Sequence, residues 1–196
     1  MLFRSSIQRV SAIPGVEAVG AINTLPLGKG PTAGFRIEGR PPLTIDKWPG
    51  GNYRTVSTDY FHAMNIPVMQ GRAFNERDTE TAPLVMIVNQ ALAKLDFPNE
   101  NPIGKRINLG NTDAKGQPVW WEIVGVVADI RNLELREAGA PEFYLSALQD
   151  SFANMFLVVR TSVEPTGVAG AIRADPDHST TGIFDGHRSG FRTRTV

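Results

Sequence analysis

Cysteine is absent from this chain of 196 residues. Disulfides, thiolate metal sites and cysteine nucleophiles are therefore excluded, while an oxidising and a reducing compartment stay equally open. Histidine is scarce, with three in all, which leaves few groups that titrate near neutrality. Charge of one sign is also missing. Twenty Lys and Arg balance twenty Asp and Glu, so no overall field favours a phosphate backbone or an anionic membrane, and no nucleic acid partner is expected. A membrane-spanning helix needs about 20 mostly apolar residues. The best uncharged runs, Ala18 to Gly28 and Thr81 to Ala93, are shorter and carry Pro or Asn. The first sixteen residues lack a signal-peptide core because Arg4, Ser5, Ser6, Gln8 and Arg9 interrupt them. The chain reads as soluble.

Several catalytic signatures are missing too. No segment fits the phosphate-cradling pattern of Gly, four residues, Gly-Lys-Ser or Thr; Gly28-Lys29-Gly30 runs into Pro31, which has no amide to donate. A serine nucleophile elbow and a His-Glu-x-x-His zinc motif are likewise absent. The expectation is a chain with no catalytic, cofactor-binding or metal-binding residues and no cofactor.

What is present is the composition of a folded protein: 41% hydrophobic residues, with ten Phe, three Trp and three Tyr. The length suits one large domain or two small subdomains, at roughly 100–200 residues per domain. Leu2 or Phe3, Ile7, Val10 and Ile13 recur at helical spacing until Pro14-Gly15 stops them, predicting a helix near 2–12. A strand over Val16 to Ile22, a loop over Leu25 to Pro31, and short strands over Phe35 to Glu38 and Asn52 to Ser57 follow. Ser57-Thr58-Asp59 offers N-cap chemistry to a short helix over Tyr60 to Met64. Leu84 to Val88 is a continuous apolar run, as in a strand covered on both faces. Asn89 then caps a helix through Leu95 that ends at Pro98. Gly104 to Leu109 and Val119 to Asp129 read as a hairpin across the polar turn 110–116. Strict alternation places Val119, Trp121, Ile123, Gly125 and Val127 on one face. Phe143 to Leu145 and Met155 to Thr161 give the last strands, Pro165 to Ala174 a short helix, and 175–196 a polar tail expected to be mobile. Strands outnumber helices, so the fold class is α+β.

Candidate chemistry carries a plainer reading in each case. His62 has the side chain of a general base, yet on a short helix it reads as a partly exposed surface residue. Asp175, Asp177, His178, Asp185 and His187 are of ligand type, but the tail lacks the apolar residues that would build rigid support. Asn89 sits where free amides greet an anion, and ordinary capping accounts for it. Arg72 with Glu76, Arg77 and Asp78 reads as a solvated ion pair holding a loop. Trp120 and Trp121 are strand neighbours facing opposite ways, so they form no stacking platform.

An ordered set of stretches resembles the MacB-like periplasmic core domain of FtsX/MacB-type ABC transporter permeases, including the duplicated orphan permease group. The set comprises Ile13-Pro14-Gly15-Val16-Glu17-Ala18-Val19 with Leu25-Pro26-Leu27, and Val56-Ser57-Thr58-Asp59-Tyr60-Phe61 with Met64-Asn65-Ile66-Pro67 and Gly71-Arg72-Ala73-Phe74. It continues with Ile87-Val88-Asn89-Gln90-Ala91-Leu92-Ala93, Pro102-Ile103-Gly104-Lys105-Arg106-Ile107 and Glu122-Ile123-Val124-Gly125-Val126-Val127-Ala128-Asp129-Ile130-Arg131. Pro141-Glu142-Phe143-Tyr144-Leu145 and Leu157-Val158-Val159-Arg160-Thr161 close it.

The resemblance implies a split architecture. Residues 1–82 and 141–175 would form a Porter-like, ferredoxin-like βαβ half, 83–140 an inserted Sabre-like mixed α/β half, and 176–196 a disordered tail. It implies a periplasmic or extracytoplasmic location beside the inner membrane. ATP hydrolysis would lie on a separate ABC ATPase subunit, reached through membrane helices, so this domain would not be an enzyme. A second permease copy and a periplasmic partner complete the implied contacts. The chain departs from the family by starting at the helix that a strand usually precedes, and by its tail. The alternative reading is a stand-alone binding or scaffolding module, or a non-functional fragment of a permease gene; a hydrolase using His62 or the acidic tail is a third.

Overall fold

The computed structural model describes residues 2–25, 30–130, 139–150, 152, 155–164, 168, 170 and 181–183. Among the described residues, eleven strands form one mixed sheet, and helices α1, α2 and α3 pack against it, in the α+β class. The leading helix α1 (Leu2–Ser11) turns at Gly15 into β1 (Val16–Ile22). Short strands β2 (Thr32–Gly34) and β3 (Arg36–Ile37) precede β4 (Gly50–Val56). Helix α2 (Tyr60–Ala63) and strand β5 (Val68–Gly71) lead to β6 (Val85–Asn89) and helix α3 (Gln90–Asp96). The hairpin β7 (Arg106–Asn108) and β8 (Trp121–Val127) is followed by β9 (Glu142–Ser146), β10 (Phe156–Thr161) and β11 (Thr181–Ile183). Strand order is β11-β10-β1-β4-β9-β6-β8-β7-β3, with β2 on β4 and β5 on β8.

Two strands therefore share one edge twice over. Because β9 pairs with β4 along Asn52 to Val56, β1 and β2 divide the opposite edge of β4 between them. Strands β7 and β5 divide an edge of β8 in the same way. The expected boundaries at residues 82 and 141 do not coincide with breaks in pairing. β3 and β5, which precede residue 83, pair with β7 and β8 of the 83–140 segment.

Alternation distributes the core over both faces of the sheet. On β1, Val19 and Ala21 pack with Ile7 and Val10 of α1 and with Leu157 and Val159 of β10. Ile22 turns the other way, joining Tyr60 and Phe61 of α2 and Met64 just beyond it. Gly20 lets α2 approach: a Cβ there would lie 2.6 Å from the Tyr60 Cα. Helix α3 covers a third cluster, in which Leu92 and Phe97 meet Met86, Val88, Ile107, Trp121 and Phe143. Full burial of each such side chain contributes roughly 1.5–3 kcal/mol.

Several expectations are corrected by local geometry. The single-faced reading of β8 fails at Val124, where the pairing with β6 slips between Met86 and Ile87. Trp121, Ile123 and Val126 then share one cluster, while Val124 and Val127 join the other. The extra residue of a bulge reverses which side chains face inward. The cap expected of Ser57-Thr58-Asp59 is not made, for Asp59 forms no side-chain capping bond. Ser57 Oγ instead accepts from the Ala21 amide at 2.8 Å, and the Thr58 hydroxyl donates to Glu76 at 3.1 Å. Strand β5 (Val68–Gly71) lies in a stretch for which no element was expected. Within the expected tail, Thr181–Ile183 pairs parallel with β10; the rest of 175–196, and most of the helix expected over 165–174, lie outside the described residues.

Candidate functional site

Among the described residues, a buried polar network lies on β4 and β9, where the strands framing the 83–140 segment meet. These strands run parallel with Asn52 opposite Glu142 and Arg54 opposite Tyr144. Residues two apart share a face, so Asn52, Arg54, Glu142 and Tyr144 converge on the side that α2 covers. Arg54 is 3% exposed, and the Glu142 side chain 12%. The Arg54 guanidinium donates to Glu142 Oε1 through Nη2 at 3.1 Å and Nε at 3.3 Å. Asn52 Nδ2 donates to the same oxygen at 3.4 Å, and Tyr144 Oη to Oε2 at 2.6 Å. Both carboxylate oxygens are thus engaged, which is what a buried charge requires.

The network continues across the sheet. Asn89 Oδ1 accepts from the amides of Leu92 and Glu142, each at 3.0 Å, and its Nδ2 donates to Ala140 O at 2.8 Å. One side chain thereby caps α3 and fastens the start of β9 to the end of β6. On the opposite face of β4, Tyr53 and Thr55 both donate their hydroxyls to Asp150, the Thr55 bond measuring 2.6 Å.

Chemically this is a clamp. Burial first, then the neighbouring Glu142 charge, push the phenols of Tyr60 and Tyr144 above their ordinary value, so both stay protonated at neutral pH. The Glu142 carboxylate is occupied by donors, and a guanidinium does not give up its proton. The arrangement suits fixing the register of β4 against β9 and holding β9 to the end of β6.

The structure disperses the other candidates. His62 is exposed on α2, its Nε2 3.0 Å from Arg160 Nη2, and Arg160 lies 3.3 Å from Glu17. Asn89 is engaged as a cap, as its position at the strand end implied. Arg72 and Asp78 form a two-pronged pair at 2.8 Å on each prong; Asp78 is buried, so the pair is only half solvated. Burial raises the Asp78 carboxyl, but the Arg72 fork and the Asn75 amide outweigh it and hold the group below its usual range. Trp121 is buried in the α3 cluster and Trp120 half-buried. Asp175, Asp177, His178, Asp185 and His187 lie outside the described residues. Among the described residues no group of three or more His, Asp or Glu is placed to hold a metal ion, and no helix is long and apolar enough to cross a membrane.

The Arg54–Glu142 pair escaped the sequence reading because its partners stand far apart in the chain. A signal existed: Arg54 shares strand parity with Val56, which put a charge on the inward face.

The family model for the MacB-like periplasmic core domain matches residues 3–175. The pyoverdine export ATP-binding/permease protein PvdT of Pseudomonas aeruginosa is 32% identical over 116 residues, covering 58% of this chain and 16% of that protein. The macrolide export ATP-binding/permease protein MacB of Aggregatibacter actinomycetemcomitans is 24% identical over 98 residues, 50% of this chain and 13% of that protein. The chain therefore spans less than a fifth of these relatives' length. Among solved structures, the periplasmic region of MacB from Actinobacillus actinomycetemcomitans superposes with a TM-score of 0.59 at 17% identity, over 86% of this chain and 70% of that one. The extracellular domain of the noncanonic ABC-type transporter YknZ from Gram-positive bacteria gives 0.54 at 20% identity, over 83% and 74%. At such identities the likeness concerns the fold.

Proposed function

The chain belongs to the MacB-like periplasmic core domain family, and from that premise we propose that it couples ATP-driven motion of a transporter's membrane helices to contacts made outside the cytoplasm. The family match over residues 3–175 carries this reading. In it, an ABC ATPase subunit or domain hydrolyses the nucleotide, a second permease copy pairs in the membrane, and a periplasmic protein or cargo meets the outer surface. The domain stands at the extracytoplasmic face of the inner membrane and moves as a shaped body. The two-part division, 1–82 with 141–175 around 83–140, belongs to the same proposal; the Arg54–Glu142 clamp ties together the two segments of the outer half, and Asn89, accepting from the Glu142 amide, fastens the 83–140 segment to it. Two relatives bear export names for unlike cargos, pyoverdine and macrolide, which favours motion as the shared contribution and cargo choice as a separate one.

Topology reporters test the placement. Alkaline phosphatase inserted at the exposed turn near Asp113, in the chain expressed with its natural flanking coding sequence, is expected to be active, and β-galactosidase at the same site inactive. The reverse pattern would place the domain in the cytoplasm and end the proposal.

A further inference from the structure

Strand β5 is exposed along its whole length. Every residue from Pro67 to Arg72 is exposed, with Val68 at 38% and Met69 at 51%, and among the described residues β5 pairs with β8 alone. An unpaired strand edge presents backbone donors and acceptors to any extended chain. Beside it runs a groove of about 160 Å³, lined by Met69 and Gln70 of β5, Val126 of β8, and Gln90, Lys94 and Phe97 of α3 and its end. Its aromatic wall, Phe97, is 3% exposed. The volume is close to the ~150 Å³ that admits a benzene ring, enough for one large apolar side chain.

Charge around the groove is unbalanced. Glu100 is its accessible carboxylate, and Lys105 at 2.7 Å and Arg40 at 3.5 Å already share it. Asp96 is buried, and burial pushes its carboxyl up despite Arg40 nearby. Exposed Lys94 points at no carboxylate within ion-pair distance among the described residues. A slip in pairing at Met69 and the short length of β5 blunt the edge against long, flat self-pairing, which favours a short segment over a second copy of this chain.

We propose that the β5 edge and the β5–α3 groove accept an extended segment of a partner protein. It adds as a short strand to β5, seats one large apolar side chain against Phe97, and sets a carboxylate two residues away, on the same face, beside Lys94. The proposal rests on the partner-contact reading above, yet its test is separate, since a failed peptide titration leaves the topology result standing.

The test is an amide NMR titration of the intact chain with the blocked hexapeptide Thr-Glu-Thr-Phe-Thr-Val. The expected result is saturable binding at sub-millimolar concentration, with shifts and slowed hydrogen exchange confined to β5 and to the α3 residues lining the groove. Replacing the residue between Glu and Phe by proline removes a donor and is expected to weaken binding about tenfold. Lys94→Glu, a surface change that leaves the fold intact, is expected to weaken it about threefold, the size of one exposed ion pair. Absence of shifts at millimolar peptide, shifts mapping away from β5, or equal binding of the proline peptide would each overturn the proposal. So would β5 amides already protected in a concentration-dependent way without peptide, which would identify a second copy as the occupant.

Discussion

Arg54 and Glu142 show how position turns an ion pair into a structural commitment. Exposed pairs contribute about 0–1 kcal/mol, but removing one member of a buried pair strands the other charge and costs roughly 3–5 kcal/mol. Glu142→Ala is therefore expected to lower the urea midpoint sharply, whereas the double change Arg54→Met with Glu142→Leu should cost much less. Equal losses in the two proteins would show that shape at the joint matters and the charge pair does not. Asp78 makes a separate demand on pH. Its folded value lies below the ordinary carboxylate value because the Arg72 fork and the Asn75 amide outweigh its burial. Its contribution is thus present above the unfolded value of about 3.9 and lost as pH falls through the folded one. Asp78→Asn should flatten the stability profile in that acidic window and leave its shape near neutrality unchanged; denaturation from pH 2 to 7 checks this. Gly125 closes the list of sensitive single positions. A Cβ there would sit 2.2 Å from the Arg72 carbonyl oxygen, so Gly125→Ala is expected to cost about 1–3 kcal/mol and to loosen β5 first, as hydrogen exchange would reveal.

At the scale of elements, α3 depends on Asn89 more than on its own seven residues, too few to hold a helix alone in water. Asn89→Ala removes a cap worth about 0.5–2 kcal/mol and leaves the buried Leu92 amide unpartnered, at a further cost of about 1–3 kcal/mol. Faster exchange of the α3 amides, with the α1 amides unchanged, is the expected signature. Elements with strong local signals were legible from sequence. Helix α1 and strand β1 fall where the apolar spacing and Pro14-Gly15 place them, β6 where its apolar run stands, and the Asn89 cap where the strand ends. What escaped has a physical reason. Strand β5 is short, slips in register and buries neither face, so it shows no alternation. The Val124 slip depends on the partner strand and is invisible in β8 taken alone. Ser57 and Thr58 carry cap-forming side chains, but tertiary partners, the Ala21 amide and Glu76, took them. The clamp joins residues 88 apart in sequence, and strand parity alone does not name a partner at that distance.

For the whole molecule, continuity of the sheet is the property that matters. Pairing runs unbroken from β11 to β3, and the α3 cluster draws Phe35 and Ile37 together with Ile107 and Trp121, so residues 83–140 share their core with strands outside that stretch. Unfolding is therefore expected as one transition, with tryptophan fluorescence and far-ultraviolet circular dichroism coincident; two separated transitions would mean that the parts fold independently. The proposed transmission of motion needs this stiffness. These 196 residues hold no cysteine, so spin labels go to Gln8→Cys and Lys115→Cys once any cysteine elsewhere in the transporter is replaced. The decisive measurement places this labelled pair in the membrane-assembled transporter and follows two distances through the ATP cycle: label to label, and the Lys115 label to a relaxation agent on the lipid headgroups. The expected result is a constant label-to-label distance with an ATP-dependent change in distance to the bilayer. A label-to-label distance that changes with ATP, or a domain that stays still relative to the bilayer, would contradict the account.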